Sequence, residues 1–372
     1  MTTIVVSETT DYSIKTFAQG DDVVFTNALG SSVSATFLHT AFLSSGPIVA
    51  LTGSDGMNEV VIKTNNNLDL SWLTLANWGS NDRFIFRGGD GFDNLNCGTQ
   101  GRDVLSGLGG DDVLTAIGSG DTLLGGNGND FIRLFDSLAV VDGGVGKDVV
   151  LLDYRPDGLF FSQGLDIDLS DGGGGRNAGG GLRLRNIEVA LCWLTNRDDT
   201  MTGGALADTI SGRDGQDQLT CSGGNDVLDG GAGDDMLVGG TGRDGFFSGL
   251  GDDTMTGGDG ADRFVFRTAA EAGNAAHHDL ITDFTPGRDK IDLSLVDGIA
   301  FTAEKDPLRF IGDTVPLQGM GGQVSYAQSG AFTVIRIYCA DPDYEELPSG
   351  YPPPAEIWLT GLMDLTINDF IL

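Results

Sequence analysis

The sequence is poor in the residues from which many hydrolases build their sites. Its only histidines are His39, His277 and His278, and none stands in the H-E-x-x-H motif that holds zinc in metalloproteases. The neighbours His277 and His278 would point to opposite sides of a strand, so they make a poor chelating pair. No G-x-S-x-G nucleophile motif occurs either. The sequence therefore predicts no catalytic residue of the zinc protease or serine lipase type.

Positive charge is also scarce, with 21 Lys and Arg against 54 Asp and Glu and a net charge of −33. Such a chain repels phosphates, so we expect no nucleic-acid partner and no direct binding to anionic membranes. No apolar run reaches about 18 residues, so we expect no transmembrane segment, and a pore-forming toxin is disfavoured. The start, MTTIVVSETTDYSIK, lacks the basic and apolar parts of a cleaved signal peptide, so we expect no export by that route.

Cysteine is limited to Cys97, Cys192, Cys221 and Cys339. They form no C-x-x-C pair and show no zinc spacing. An even count permits disulfides in an extracellular protein, but four cysteines allow three connectivities and the spacing does not choose among them. The disulfide state is therefore left open.

Glycine is abundant, 59 of 372 residues, and much of it falls in one nine-residue phrase. GGDGFDNLN, at Gly88–Asn96, recurs in register through the middle of the chain, with looser copies between. The clearest further copies are GGNGNDFIR from Gly125, GGVGKDVVL from Gly143, GGAGDDMLV from Gly230, GGTGRDGFF from Gly239 and GGDGADRFV from Gly257.

Each position of the phrase has a chemical reason. Glycine accepts backbone angles that other residues avoid, so the loop can turn sharply and point its carbonyls inward. The aspartate at position six adds a charged oxygen, and Ca²⁺ prefers carboxylate and carbonyl oxygens. The x-U-x ending alternates, which predicts a short strand whose apolar side chain enters the core. The phrase therefore predicts calcium-binding loops joined by short strands.

Two phrases make one 18-residue turn of a parallel β-roll, so the loops on one side recur every 18 residues. The first array has one column of Asp93, Asp112, Asp130 and Asp148, with Cys97 as an extra residue, and an opposite column of Asp103 and Asp121 that lapses at Ala139. The second array has the columns Asp199, Asp217, Asp235, Asp253 and Asp208, Asp226, Asp244, Asp262. Ions between consecutive loops would give about ten sites. The predicted carbonyl ligands are Gly89, Gly91, Gly126, Gly128, Gly231, Gly233, Gly240, Gly242, Gly258 and Gly260.

The apolar residue at position eight recurs as evenly as the aspartate, which predicts an inward face and not a site. The predicted core residues are Leu95, Leu105, Leu114, Leu123, Ile132, Val150, Ile210, Leu219, Leu228, Leu237, Phe246, Met255 and Phe264.

The phrase resembles the calcium-binding repeat of RTX proteins. The segments HHDLITDFTPGRDKIDLS, LRFIGD, GGQVSY and AEIWLTGLMDLTINDFIL resemble the C-terminal domain of serralysin-type RTX proteases and related lipases and epimerases. This resemblance implies a β-sandwich-like cap and an uncleaved type I secretion signal at Asp369–Leu372. The proline-rich stretch Asp341–Pro354 departs from the G-D-G loop that relatives often carry there, which puts that ion site in doubt.

We therefore predict an all-β fold, a right-handed parallel β-roll of the calcium-binding β-solenoid type. Residues 1–87 form a β-rich, solenoid-like section, and residues 88–265 form the roll. Its two arrays, 88–151 and 198–265, flank a β-rich insert at 152–197. Residues 266–372 form the cap and secretion domain.

The predicted function is that of a secreted, non-catalytic RTX protein in an extracellular or surface matrix. Aspartates stacked about 4.8 Å apart would repel by roughly 3 kcal/mol, so the roll should need cations to close. The expected partners are calcium, the type I secretion machinery, and further copies of the chain or an extracellular polysaccharide. The alternative is a polysaccharide lyase or epimerase built on the solenoid. Its residues would come from the insert: Tyr154, Arg155, Arg183, Arg185 and Trp193.

Overall fold

The computed structural model describes separate strands up to residue 76 and then several longer ranges. These are residues 83–96, 102–154, 164–170, 182–297, 306–314, 322–339 and 354–372. The chain divides into two compact units, Met1–Phe161 with Ile167–Cys192, and Ser162–Asp166 with Trp193–Leu372. Within the described ranges the only helix is one 3₁₀ turn, η1, at Ile367–Asp369. The predicted all-β class is confirmed.

The N-terminal section consists of short parallel strands in two alternating stacks. One stack has the order β1-β3-β5-β8, and the other runs through β2, β4, β6 and β9. Each strand pairs in parallel with a strand two or three elements further along the chain, so the backbone winds as a solenoid before the glycine-rich repeats begin. The strands are β1 Thr3–Val6, β2 Thr10–Asp11, β3 Asp22–Phe25, β4 Val33–Leu38, β5 Ala50–Thr52, β6 Asn58–Lys63, β7 Leu68–Asp69, β8 Thr74–Ala76 and β9 Arg83–Arg87.

The first array continues this winding with the position-eight residues directly in line. Leu95 pairs with Leu114, Leu114 with Ile132, and Ile132 with Val150. Part of the insert joins the opposite stack, where Val141 pairs with Leu184. The strands of the array and the insert are β10 Asn94–Asn96, β11 Val104–Gly109, β12 Val113–Asn127, β13 Phe131–Val145, β14 Val149–Asp153, β15 Asp166–Asp168, β16 Arg183–Arg185 and β17 Val189–Trp193.

The second array forms two more regular stacks. In one, Leu219 pairs with Leu237 and Leu237 with Met255; in the other, Leu228 pairs with Phe246 and Phe246 with Phe264. The Phe246 and Phe264 rings stack with centroids 5.0 Å apart. The strands are β18 Thr200–Thr202, β19 Thr209–Asp214, β20 Gln218–Thr220, β21 Val227–Ala232, β22 Met236–Gly242, β23 Gly245–Leu250, β24 Thr254–Gly260 and β25 Arg263–Val265.

The C-terminal region extends both stacks and adds an antiparallel meander. Met255 pairs in parallel with Ile281, and Phe264 with Ile291, so the pairing does not stop at the expected boundary of 265 and 266. Strands β29, β30 and β31 are antiparallel neighbours. The strands are β26 Asp279–Ile281, β27 Lys290–Asp292, β28 Arg309–Gly312, β29 Gln323–Ser329, β30 Phe332–Tyr338, β31 Ala355–Thr360 and β32 Phe370–Ile371. The domain boundaries stay a prediction.

The predicted core is confirmed. All thirteen position-eight residues are fully buried at 0% exposure. Alternation explains this, because each strand places position eight inward and positions seven and nine outward. The aspartate two residues before each core residue therefore lies where the loop meets the strand.

Candidate metal centres

The fourteen aspartates at position six are buried, none more than 3% exposed. Each aspartate lies at the end of its loop, directly before the strand. A buried carboxylate is costly unless hydrogen bonds or a cation compensate it. The partners of these oxygens therefore decide what the loops can do.

In ten of the fourteen aspartates, one carboxylate oxygen joins consecutive turns of the roll. The backbone N–H of Asp112 donates to Oδ1 of Asp130, and that of Asp130 donates to Oδ1 of Asp148, each at 2.9 Å. In the second array Asp217 donates in the same way to Asp235 at 2.8 Å. The further donor and acceptor pairs are Asp93 with Asp112, Asp103 with Asp121, Asp199 with Asp217, Asp208 with Asp226, Asp226 with Asp244, Asp235 with Asp253, and Asp244 with Asp262.

These bonds place the aspartates in the four columns that the 18-residue spacing predicts. The first array keeps its column across the irregular step from Asp93 to Asp112, which are 19 residues apart. The predicted grouping of the aspartates is therefore present in the fold. That they bind metal stays a prediction.

The second carboxylate oxygen is the distinctive feature of the columns. In nine of the fourteen aspartates Oδ2 is buried and accepts no hydrogen bond. A buried polar atom left unsatisfied costs roughly 1–3 kcal/mol. Nine such atoms together rival the total stability of a domain, which is about 5–15 kcal/mol. These residues are Asp112, Asp130, Asp148, Asp217, Asp226, Asp235, Asp244, Asp253 and Asp262.

Burial also shifts the acidity of these groups. Desolvation is the main cause that raises the pKa of Asp217 to about 8 and that of Asp112 to about 7. The neighbouring aspartates of each column add repulsion in the same direction, and the N–H donors oppose it. Without a cation, burial therefore shifts the carboxyl groups of the columns toward the protonated form, and Asp217 is mostly protonated at neutral pH.

The glycines at positions two and four shape the loops around these oxygens. Gly126 has φ +114° and Gly128 has φ +128°, and both lie in the left-handed region that side chains disfavour. A Cβ at Gly126 would overlap the carbonyl oxygen of Leu108, one turn away. Backbone carbonyls thus crowd the space between loops. Of the predicted carbonyl ligands, all but Gly89 and Gly91 have positive φ.

The donor set fits calcium. It consists of carboxylate oxygens without protein donors beside loops packed with glycine carbonyls, and these are the oxygen types Ca²⁺ prefers. Asp199 departs from the pattern, because its carboxylate accepts N–H groups from Leu165 and Thr195. Asp199 is thus a column end whose oxygens already have protein donors.

The columns extend beyond the predicted residues. The N–H of Asp253 donates to Asp279, that of Asp262 to Asp289, and that of Asp148 to Oε2 of Glu188. Asp279 resembles the repeat aspartates most, since its Oδ2 is buried without a partner and burial raises its pKa to about 8. The spacing missed these residues because they lie 26, 27 and 40 residues along the chain. The patterns D-L-I and D-K-I, an acid two residues before a core residue, could have indicated Asp279 and Asp289.

The residues considered for catalysis in the insert differ in burial. Tyr154 is fully buried, whereas Arg183 and Arg185 are exposed on either side of buried Leu184. Trp193 is 40% exposed. Arg155 lies outside the described residues.

The histidines of the described ranges contact neighbouring side chains. His277 contacts Asp252 at 2.9 Å, and His278 stacks on Trp358 with centroids 4.1 Å apart. No disulfide joins Cys192, Cys221 and Cys339. Cys97 and His39 lie outside the described residues.

The family comparisons agree with the geometry of the loops. The family model of the RTX calcium-binding nonapeptide repeat, four copies, matches residues 98–132 and 193–228. The chain carries RTX calcium-binding repeats. The model of the peptidase M10 serralysin C terminal matches residues 224–347 of this RTX chain, and no protease domain is matched.

Similar solved structures include two subunits of an epimerase and a lipase. The AlgE6R2 subunit of the Azotobacter vinelandii mannuronan C5-epimerase is 27% identical over 50% of this chain and 91% of that one, with a TM-score of 0.28. The AlgE6R3 subunit is 27% identical over 47% and 78%, with a TM-score of 0.27. The extracellular lipase LipA from Serratia marcescens is 15% identical over 78% and 40%, with a TM-score of 0.23. The comparison with curated proteins found no match.

Where the structure describes the chain, no helix is long and apolar enough to cross a membrane.

Proposed function

We propose that this RTX chain is a secreted, non-catalytic structural or adhesion component that folds when it binds calcium outside the cell. The observation that carries the proposal is the row of buried carboxylate oxygens without hydrogen-bond donors in three of the four columns. Such a roll is incomplete as protein alone. A ligand that binds the folded roll and not the unfolded chain stabilises it by linkage.

The position-six aspartates and the glycine carbonyls of consecutive loops would hold the ions. When bound, Ca²⁺ supplies the positive charge that compensates the buried carboxylates. About ten ions would bring roughly +20 against the net charge of −33. The chain's own part is to orient Oδ1 toward the neighbouring turn, which leaves Oδ2 for the cation.

The difference in calcium concentration across the membrane would then decide where the chain folds. Extracellular calcium modules work at about 10⁻⁴–10⁻³ M, far above cytosolic calcium. The chain would stay unfolded during export and close into a roll outside. The serralysin C-terminal match at residues 224–347 supports export by the type I route, together with the resemblance of the last residues to an uncleaved type I signal.

A rigid, acidic roll suits assembly or attachment. The charge left after calcium binding can bridge through further calcium to other copies or to an acidic polysaccharide. The burial of Tyr154 and the exposure of Arg183 and Arg185 support a non-catalytic role for the insert.

Circular dichroism in chelator tests the folding part of the proposal. We expect the β-signal to be lost in chelator and restored by millimolar calcium, but not by equal magnesium, which demands smaller and stricter octahedral geometry. A β-rich spectrum that chelation leaves unchanged would refute calcium-dependent folding.

Sizing and microscopy across a calcium titration test the assembly part, together with turnover assays on uronate polymers. We expect calcium-dependent assembly or polymer binding, weakened when Asp235 and Asp244 are both changed to Ala. A protein that stays monomeric and unattached at every calcium level, yet shortens or epimerises the polymer, is an enzyme and contradicts the structural role.

A further inference from the structure

One loop of the second array departs from the repeat at two positions. Cys221 stands at position one, where Gly203, Gly212 and Gly230 stand in neighbouring repeats, and Ser222 stands at position two. At position two, Arg213 has φ +78° and Gly231 has φ +108°, whereas Gly204 and Ser222 are not among the residues with positive φ. The Cys221 loop therefore shares this backbone feature with the Gly203 loop and differs from it in the thiol at position one.

The departure brings a thiol to the carboxylates of two consecutive loops. Ligand atoms of Asp208, Cys221 and Asp226 all lie within 4.8 Å of one another, and all three residues are buried. A Cβ at Gly203 would lie 3.4 Å from the Cys221 Sγ and would also overlap Oδ2 of Asp208. The glycine therefore leaves room for the thiol to lie beside that carboxylate.

A second observation indicates that this cluster lacks a ligand. Asp226 is 1% exposed, and its Oδ2 has no hydrogen-bond donor apart from the neighbouring Cys221 thiol. Burial raises the pKa of this carboxyl group, and the thiol lowers it by a smaller amount. Its Oδ1 accepts the N–H of Asp208 at 2.7 Å, so the neighbouring turn sets the orientation of the carboxylate. Oδ2 therefore lies in one buried group with the thiol and the Asp208 carboxylate.

We propose that Asp208, Cys221 and Asp226 form a mixed thiolate–carboxylate site that prefers a thiophilic divalent cation, such as Zn²⁺ or Cd²⁺, over calcium. Calcium takes oxygen ligands, whereas thiolate ligands select softer metals. Zinc is commonly bound by Cys and Asp in sets of three protein ligands, with water in the fourth position. On binding, the thiol loses its proton to solvent and the sulfur forms a bond to the metal, so each ion bound releases one proton.

The site goes beyond the calcium function, because it gives one position of a calcium column a different metal. No other group of three His, Cys, Asp or Glu side chains in the described ranges meets the same distance limit. We expect the other positions of the columns to keep calcium, while the Asp208, Cys221 and Asp226 site exchanges calcium for the thiophilic metal.

Cadmium titration of the full-length, reduced, calcium-saturated protein tests the proposal. We expect an ultraviolet sulfur-to-cadmium charge-transfer band that saturates at one equivalent and survives excess calcium. In Cys221→Gly, which restores the residue of the neighbouring repeats, the band should disappear and the cadmium affinity fall at least tenfold. Cys339→Ser is the matched control and should keep the band. Asp226→Asn should weaken cadmium binding and keep the band at saturation.

Three outcomes would overturn the proposal. The band could persist in Cys221→Gly, the wild-type protein could show no band, or millimolar calcium could abolish it. Alkylation of the wild-type protein, mapped by mass spectrometry, covers the case in which Cys221→Gly does not fold. Zinc should protect Cys221 in calcium-saturated protein at least tenfold and leave Cys339 reactive. Equal labelling of both cysteines with and without zinc would contradict the site.

Discussion

The two carboxylate oxygens of a position-six aspartate have different roles, as Asp253 shows. Oδ1 of Asp253 accepts the N–H of Asp235 at 2.9 Å, while Oδ2 of both residues is buried without a donor. Asparagine would keep the first interaction and lose the negative charge. The aspartate thus combines a structural bond between turns with an oxygen for the cation.

We expect Asp235→Asn to raise the calcium concentration that half-folds the protein by about threefold or more, because one charged ligand oxygen is lost. Asp259→Asn is the matched control, since Asp259 lies in a loop of the same array but is exposed. Calcium titrations followed by circular dichroism measure both variants. Equal midpoints for the two variants would contradict the ligand role of Asp235.

The raised pKa values of the column aspartates predict how the stability of the calcium-free protein depends on pH. Burial raises the pKa of Asp217 to about 8 and that of Asp148 to about 6, from 3.8. Between pH 4 and 8 the unfolded chain releases these protons before the folded roll does, so stability falls as pH rises through this window. In chelator, the β-signal should therefore be larger near pH 4 than near pH 8.

Calcium should reverse this trend, because it binds the deprotonated carboxylates and competes with protons. Circular dichroism at several pH values, with chelator and with calcium, measures both trends. A calcium-free β-signal that grows as pH rises would mean that the aspartates are not buried in the folded state.

In the loops and strands, backbone conformation determines which glycines can be replaced by a residue with a side chain. Gly242 has φ +149°, and a Cβ there would overlap the carbonyl oxygen of Gly224. Gly245, three residues later in β23, meets no atom closer than 3.9 Å. The same nine-residue repeat therefore contains a glycine that the fold requires, in the loop, and one that it tolerates, in the strand.

Gly242→Ala should lower the free energy of unfolding of the calcium-loaded protein by about 2 kcal/mol or more, through backbone strain and the displaced turn. Gly245→Ala should change it by far less, since the added methyl group enters open space. Urea denaturation at saturating calcium measures both. Similar losses in the two variants would show that the loop adapts to a side chain at position four.

For the whole molecule, the C-terminus is part of the fold as well as the predicted export signal. Strand β32 pairs with β27, and Phe370 packs on Phe310 with ring centroids 4.9 Å apart. Asp369 is buried and accepts the N–H of Gly287 at 2.6 Å. A change at this end therefore touches both stability and export.

Deletion of Asp369–Leu372 should keep the protein inside cells and lower the melting temperature of the C-terminal region, while the roll still folds with calcium. Phe310→Leu is the control, since it weakens the same packing and leaves the terminus intact. Secretion assays and thermal melts separate the two effects. Normal secretion of the truncated chain, or an equal secretion defect in Phe310→Leu, would contradict the terminal signal.

Much of this protein is determined by its sequence alone. The repeat period places Asp112, Asp130 and Asp148 in one column, and the alternation after each aspartate places Leu114, Ile132 and Val150 in the core. Both follow from local rules, because a fixed period and a two-residue alternation leave one register for parallel stacking.

Only the tertiary structure showed which residues complete the columns and which side chains from separate repeats meet. Asp279, Asp289 and Glu188 complete the columns at irregular spacings, because the connections before them vary in length while the strand spacing does not. The meeting of Cys221 with Asp208 and Asp226 likewise depends on stacked turns, which bring side chains from separate repeats within ligand distance. The period predicts which residues face the same way, and only the packed turns show which polar atoms are left without partners.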